Sequence, residues 1–296
     1  MATQTNRISI QNDLAFKKVF ASRGNEFILA GLVQDFTGID TSAGLVIINP
    51  YNIDTFYADD GQKLRATEVD VAARLSDGSI ITIEFQRQPQ EYLLERIDYY
   101  VSEKYISNYG RNINGKLQHK NGKNYSGLRA ILSLNILGFN LWKDTDAIHE
   151  FNSYDIAHQN YYHSKNWRNI IFFELLKNTN ELSENINYWR TLFKDEAVID
   201  TAPDYIREAS QILEYQNFDR RERTAVDMSV RYREKIEAEI AYGRNKGREE
   251  GRNEGRSEGL KEGIIATAKK MIIKGFETAI ISEITGLPQD EIIKLK

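Results

Sequence analysis

Apolar residues recur at helical spacing over residues 12–40, where Leu14, Phe16, Val19, Phe20, Phe27, Ile28 and Leu32 form one stripe and Asn12 or Asp13 can cap the start. The spacing predicts a helix or a pair of helices. Residues 45–58 are rich in Val, Ile, Tyr and Phe and read as a strand. Residues 66–87 switch to alternation on either side of Ser76-Asp77-Gly78, which reads as a hairpin. Helical spacing returns over 90–110 through Tyr92, Leu93, Ile97, Tyr100, Val101 and Tyr105, and the tyrosines of this stretch, Tyr99 included, read as core. A polar loop, 112–126, leads to two apolar runs, LRAILSLNIL at 128–137 and WRNIIFFELL at 167–176, each expected as a buried strand. From about 180 to 242 the spacing is again helical.

The hairpin has two candidate registers. A two-residue loop at Asp77-Gly78 pairs Asp70 with Phe85 and leaves Asp70 and Glu84 on opposite faces. A three-residue loop with Gly78 left-handed pairs Leu75 with Ser79, Asp70 with Glu84 and Glu68 with Gln86. The second register puts Val69, Val71, Ala73, Leu75, Ile81, Ile83 and Phe85 on one face. It puts Glu68, Asp70, Arg74, Thr82, Glu84 and Gln86 on the other. That split into an apolar and a polar face selects the three-residue loop.

The consequence is chemical. Cross-strand neighbours have Cβ atoms about 4.5–5.5 Å apart, so Asp70 and Glu84 stand side by side. Two such carboxylates repel unless a hard divalent cation lies between them. A bound cation lowers the pKa of a water and stabilises charge on a phosphoryl oxygen. Gln86 can orient that water or a phosphate oxygen, and the Phe85 carbonyl is a further ligand candidate. The plainer reading is an acidic pair on a solvated sheet face.

Composition narrows the classes. The chain has 296 residues, 41% hydrophobic and 28% charged, which is globular composition with room for a sizeable core. No run approaches the ~20 apolar residues of a membrane helix, and the polar start MATQTNRISIQND lacks a signal-peptide core. Absence of cysteine excludes disulfides and thiolate zinc and makes the cytoplasm the default location. The four histidines, His119, His149, His158 and His163, show no zinc-protease spacing. A net charge of −4 argues against a passive nucleic-acid coat but not against an enzyme that gathers carboxylates round a cation.

An ordered series of short motifs now becomes informative: Asp13 with Phe16-Lys17-Lys18-Val19-Phe20, Val69-Asp70-Val71, Ile83-Glu84-Phe85-Gln86, Arg96 with Tyr99-Tyr100, Tyr125, and Glu174-Leu175. In this order and spacing the chain resembles the Rpn family of recombination-promoting nucleases, also described as PD-(D/E)XK nuclease family transposases. The resemblance covers roughly residues 10–180, and the C-terminal region is similar as well. It implies an α/β, restriction-endonuclease-like core with a mixed sheet flanked by helices, plus a helical C-terminal region. It also implies Mg²⁺-dependent DNA cleavage, with Mn²⁺ able to substitute. By position, Asp70 and Glu84 match the two acids, with Asp70, Glu84 and the Phe85 carbonyl as metal ligands and Gln86 completing the catalytic set. Gln86 stands where the broader superfamily usually has lysine, and glutamine offers dipoles in place of a cation. Lys17, Arg87 or Arg96 can supply the positive charge, Arg96 being otherwise a helix-surface residue. Glu26 is a lesser candidate as a first-helix acid.

The expected organisation is a nuclease core over 1–180, a helical extension over 181–242, a glycine-repeat segment over 243–263 and a small helical tail over 264–296. Glycine stands at 243, 247, 251, 255, 259 and 263. Each costs a helix about 1 kcal/mol against alanine. Arg244, Arg248, Arg252 and Arg256 form one row and Glu250, Glu254, Glu258 and Glu262 another. Like charges at this spacing repel within one helix, whereas a second copy can set arginine rows against glutamate rows. The segment is therefore read as a homodimerisation helix, or else as a charged linker. The tail suggests a helix-turn-helix-like shape suited to DNA or to protein association. The leading functional reading is a DNA endonuclease. A catalytically inactive DNA-binding or protein-interaction module is the alternative, and an oligomerisation protein built round the glycine repeat is a third.

Overall fold

The structure is a computed structural model and describes residues 7–56, 69–109, 125, 128–164, 167–178 and 180–295. The chain divides into two compact units, Met1–Val230 and Arg231–Lys296.

The first unit opens with two helices, α1 (Asp13–Ala21) and α2 (Glu26–Thr37). Asn12 is the cap of α1, its side chain accepting from the N–H groups of Leu14 and Ala15. The strands are β1 (Leu45–Ile47), β2 (Val71–Leu75), β3 (Ile80–Gln86), β4 (Ile131–Leu137), β5 (Ile148–Asn152), the short β6 (Tyr154–Asp155) and β7 (Asn160–Tyr161), and β8 (Arg168–Glu174). Helix α3 (Leu93–Ser107) lies between β3 and β4 in sequence, and α4 (Glu184–Phe193) and α5 (Asp204–Ile212) follow β8. Helix α6 (Arg220–Ile273) starts in this unit and continues through the second.

Six strands form one mixed sheet in the order β1-β2-β3-β4-β8-β5. β3, β4 and β8 are parallel, and β1–β2, β2–β3 and β5–β8 are antiparallel. The β2–β3 register is Val71 with Ile83 and Ala73 with Ile81, and Leu75 N–H donates to Ser79 O at 2.8 Å. This is the register of the three-residue loop, and Gly78 has the left-handed φ of 86° that this loop requires.

Helices cover both sheet faces. On one, Phe16 and Phe20 of α1 and Ile28 and Leu32 of α2 share a buried core with Trp189, Phe193, Ile206 and Val71. Asp35 ties this layer together, accepting from Trp189 Nε1 at 2.8 Å, Tyr205 Oη at 2.9 Å and Asn185 Nδ2 at 2.9 Å. Gly31 fits under the Tyr205 ring, where a Cβ would come within 2.5 Å of Cδ2. On the other face Leu93, Ile97 and Val101 of α3 pack on Ile80, Ile131, Leu137 and Phe172.

The structure corrects several expectations. The polar face of the hairpin is not solvated: α3 covers it, and Thr82, Glu84 and Gln86 are buried. Val69 leaves the apolar face and packs with Ala72 and Tyr100, because the β2 ladder stops at Val71. The expected strand over 45–58 is only β1. Asn49 then uses its side chain to bond Val69 O and Ala72 N–H, and Pro50 ends any pairing. Tyr92 and Tyr99 are 67% and 63% exposed and do not belong to the core. Strands β5 to β7 were not anticipated. Residues 57–58, 66–68 and most of the 112–126 loop lie outside the described residues.

In the second unit, α6 runs unbroken through all six glycines of the repeat, each with open space round its Cβ position. Ala268, Ile281 and Ile292 form a small core with α7 (Thr278–Thr285) and α8 (Gln289–Lys294), turning at Gly275 and Gly286, both at positive φ. Among the described residues no helix is long and apolar enough to cross a membrane.

Candidate active site

The site begins where the β2 ladder ends. Alternation makes 75/79, 73/81 and 71/83 the pairs that exchange backbone bonds, so 69/85 would be next. Instead the Asp70 side chain takes the Phe85 N–H, which donates to Oδ2 at 3.1 Å, while Val69 O accepts from Asn49. A strand residue directs its N–H and C=O to the same side, so the Phe85 carbonyl also points to the β2 side.

Glu84 follows Ile83, the β3 partner of Val71, just as Asp70 precedes Val71 across the end of the ladder, and is 5% exposed. Its Oε2 accepts from Gln86 Nε2 at 2.8 Å and lies 3.6 Å from an Arg96 guanidinium nitrogen. Arg96 also bonds Gln90 Oε1. The Gln86 amide is therefore committed to holding Glu84, and α3 supplies the cation on that side.

Helix α1 supplies the other wall. Phe16 meets the Phe85 ring at 5.9 Å between centroids. Because Asn12 is the cap, Asp13 belongs to the first turn, with Lys17 one turn on. Both influence Asp70. Burial, then the Asp13 charge, then the Glu84 charge push the Asp70 carboxyl up to about 7, against Lys17 and the Phe85 N–H. Glu84 is raised mainly by burial, against Arg96, Gln86 and Lys17. The Tyr100 hydroxyl is also raised, by burial first and then by Glu84.

The sequence reading had Asp13 only as a cap or motif residue. Its place beside Asp70 depends on which of two adjacent residues caps α1, and sequence alone left that open. Glu26 does not join the group; it accepts from the Gly24 N–H at 2.7 Å. Arg87 is exposed just beyond β3, and Glu68 lies outside the described residues. No cluster of three or more His, Cys, Asp or Glu arranged for a metal occurs among the described residues. The donor set nonetheless suits a divalent cation. Asp70 favours its proton first through burial and then through the nearby Asp13 and Glu84 charges, and a bound divalent cation would offset both the lost hydration and the repulsion.

A second polar cluster lies at the same end of the sheet, since Gln86, Leu137 and Glu174 are in register. Buried Glu174 forms an ion pair with Lys177 at 2.7 Å and accepts from the N–H groups of Leu141 and Trp142. Lys177 also reaches Asp144 at 2.7 Å, and His149 lies between Asp144 and Glu174.

No curated protein and no solved structure matches significantly. The family model described as PD-(D/E)XK nuclease family transposase matches residues 10–243. That span takes in the mixed sheet, both helical walls and both acids of the hairpin, and on this coverage the chain belongs to the PD-(D/E)XK nuclease family transposases.

Proposed function

We propose that the chain is a cytoplasmic, Mg²⁺-dependent DNA endonuclease serving recombination or a mobile element, with Mn²⁺ able to replace Mg²⁺. PD-(D/E)XK nucleases generally use divalent metals. Asp70 and Glu84 would hold the ion, with the Phe85 carbonyl as a further ligand and Asp13 adding negative charge beside them. When bound, such an ion supplies Lewis acidity and a more acidic water. Gln86 and Arg96 fix Oε2 of Glu84 and leave its other oxygen for the site. In the reaction a water oxygen bonds to phosphorus, one phosphorus–oxygen ester bond breaks, and the leaving sugar oxygen takes up a proton.

The observation that carries this reading is the bond from the Phe85 N–H to the Asp70 carboxyl, next to buried Glu84 at the end of the ladder, in a chain of this family. Nicking of supercoiled plasmid with Mg²⁺ is the test. Wild type should cut, and Asp70→Ala and Glu84→Ala should not. The rival reading, an inactive DNA- or protein-binding module, is favoured by the Gln86 amide bonding to Glu84 where a lysine would offer charge. DNA binding without cutting by wild type would select it.

We also propose that the chain pairs with a second copy through the glycine repeat. The arginine and glutamate rows flank the glycine row on opposite sides. Where the helices of a parallel two-fold pair touch, arginines of one copy meet glutamates of the other, whereas an antiparallel pair sets arginine against arginine. Sedimentation of the full chain should give a dimer at low salt that weakens in 1 M salt. A monomer at tens of micromolar in low salt would remove the proposal.

A further inference from the structure

We infer that Lys17, on helix α1, is the catalytic cation of this nuclease site, occupying in space the role that Gln86 leaves open in sequence. The inference rests on the nuclease reading above.

Four observations converge on Lys17. First, the two adjacent lysines of α1 have different surroundings. Lys18 bonds Glu222 and the Asn217 carbonyl and lies over the Phe218 ring at 4.4 Å. Lys17 has no ion pair within 4 Å among the described residues, and its one ring neighbour, Phe56, is 6.0 Å from Nζ. Second, α1 lies against the acid-bearing strand end: Phe16, next to Lys17, meets the ring of Phe85, whose N–H bonds Asp70 and which adjoins Glu84 in β3, so the Lys17 charge acts on both acids. Third, the other candidates are excluded by position. Arg96 is engaged with Glu84 and Gln90, and Arg87 is exposed beyond the strand end. Fourth, α1 is a rigid mount. It is capped by Asn12, packed on Phe85 through Phe16 and fastened by Lys18 to Glu222. An uncommitted ammonium on a fixed helix beside two carboxylates is set up in advance for an anion arriving between them.

Lys17 would donate a hydrogen bond to a non-bridging phosphate oxygen as charge develops there. It stays protonated throughout and gives up no proton. Its partial exposure lets DNA reach it.

The test compares full-length wild type, Lys17→Met, Lys17→Arg and the double variant Lys17→Met/Gln86→Lys. Plasmid nicking, Mn²⁺ binding by titration calorimetry and thermal midpoint are measured on each. Lys17→Met should cut about 100-fold or more slowly, still unfold in one cooperative thermal transition, and bind Mn²⁺ as tightly or more tightly, because a neighbouring positive charge has gone. Lys17→Arg should retain part of the activity. The double variant should regain at least about tenfold over Lys17→Met, since the ammonium returns from the strand side. Lys17→Met cutting within a few-fold of an active wild type overturns the inference and leaves the nuclease reading standing. So does a loss of Mn²⁺ binding in step with activity. A wild type that does not cut overturns both readings.

Discussion

Asp70→Asn is expected to abolish plasmid nicking, by at least about 10³-fold, and yet to make the metal-free protein more resistant to heat at pH 8. Both effects follow from one carboxyl. Asp70 loses hydration at the entry to β2, and that burial first, then the Asp13 and Glu84 charges, lifts its pKa to about 7. An unfolded chain releases the same proton near 3.9. The folded protein therefore binds this proton more tightly than the unfolded chain does. The stabilisation is complete below about pH 4 and is lost as pH rises through about 7. Above that, the metal-free fold carries a carboxylate it disfavours, and asparagine removes the charge while keeping an oxygen for the Phe85 N–H. Thermal midpoints without metal should thus be similar near pH 4 and should separate, variant above wild type, by pH 8. Saturating Mg²⁺ should then raise the wild type by mass action and leave the variant nearly unmoved. A midpoint gap independent of pH, or a variant that still cuts, would contradict this account of Asp70.

Glu174→Ala should destabilise the first unit by about 3–5 kcal/mol, a large part of the roughly 5–15 kcal/mol that holds most domains folded. Glu174 is wholly buried at the end of β8. Alanine would leave the buried Lys177 ammonium with Asp144 alone and would strip acceptors from the Leu141 and Trp142 N–H groups. Removing one member of a buried pair costs more than the pair contributed, because the remaining charge stays dehydrated. Glu174→Gln keeps an acceptor and should fall between. Urea unfolding of the three proteins measures the series. An alanine variant within 1 kcal/mol of wild type would show that water repairs the site.

The hairpin was legible in the sequence because two independent signals agreed. Gly78 offered a left-handed loop residue, and the apolar positions of 69–85 fitted only one register. That register also brings Asp70 and Glu84 to the same end of the ladder. Three features were not legible, each for a physical reason. The cover of α3 over Glu84 and Gln86 is a tertiary event that leaves no mark on strand alternation. Tyr92 shares the helical spacing of α3 but sits before its first turn at φ 60°, and so points away from the stripe. Strand β5 lies at the sheet edge with a mixed burial pattern, and IHEFN lacks the alternation that would announce it. The place of Asp13 turned on the choice of helix cap, which local spacing could not decide.

The glycine repeat has a period of four in a helix of 3.6 residues per turn, so each repeat advances its row by about 40°. Over 243–263 the row travels about 200°, more than halfway round α6. A second helix cannot follow such a path as a straight coiled-coil partner. It can only cross, at an angle near −50° for meshing rows of this spacing, touching a few glycines at once. The crossing point repeats at Gly247, Gly251 and Gly255, each with an arginine one residue on and a glutamate three residues on. A pair joined there would have several near-equal registers, and stepping between them would change the spacing of the two chains without undoing their contact.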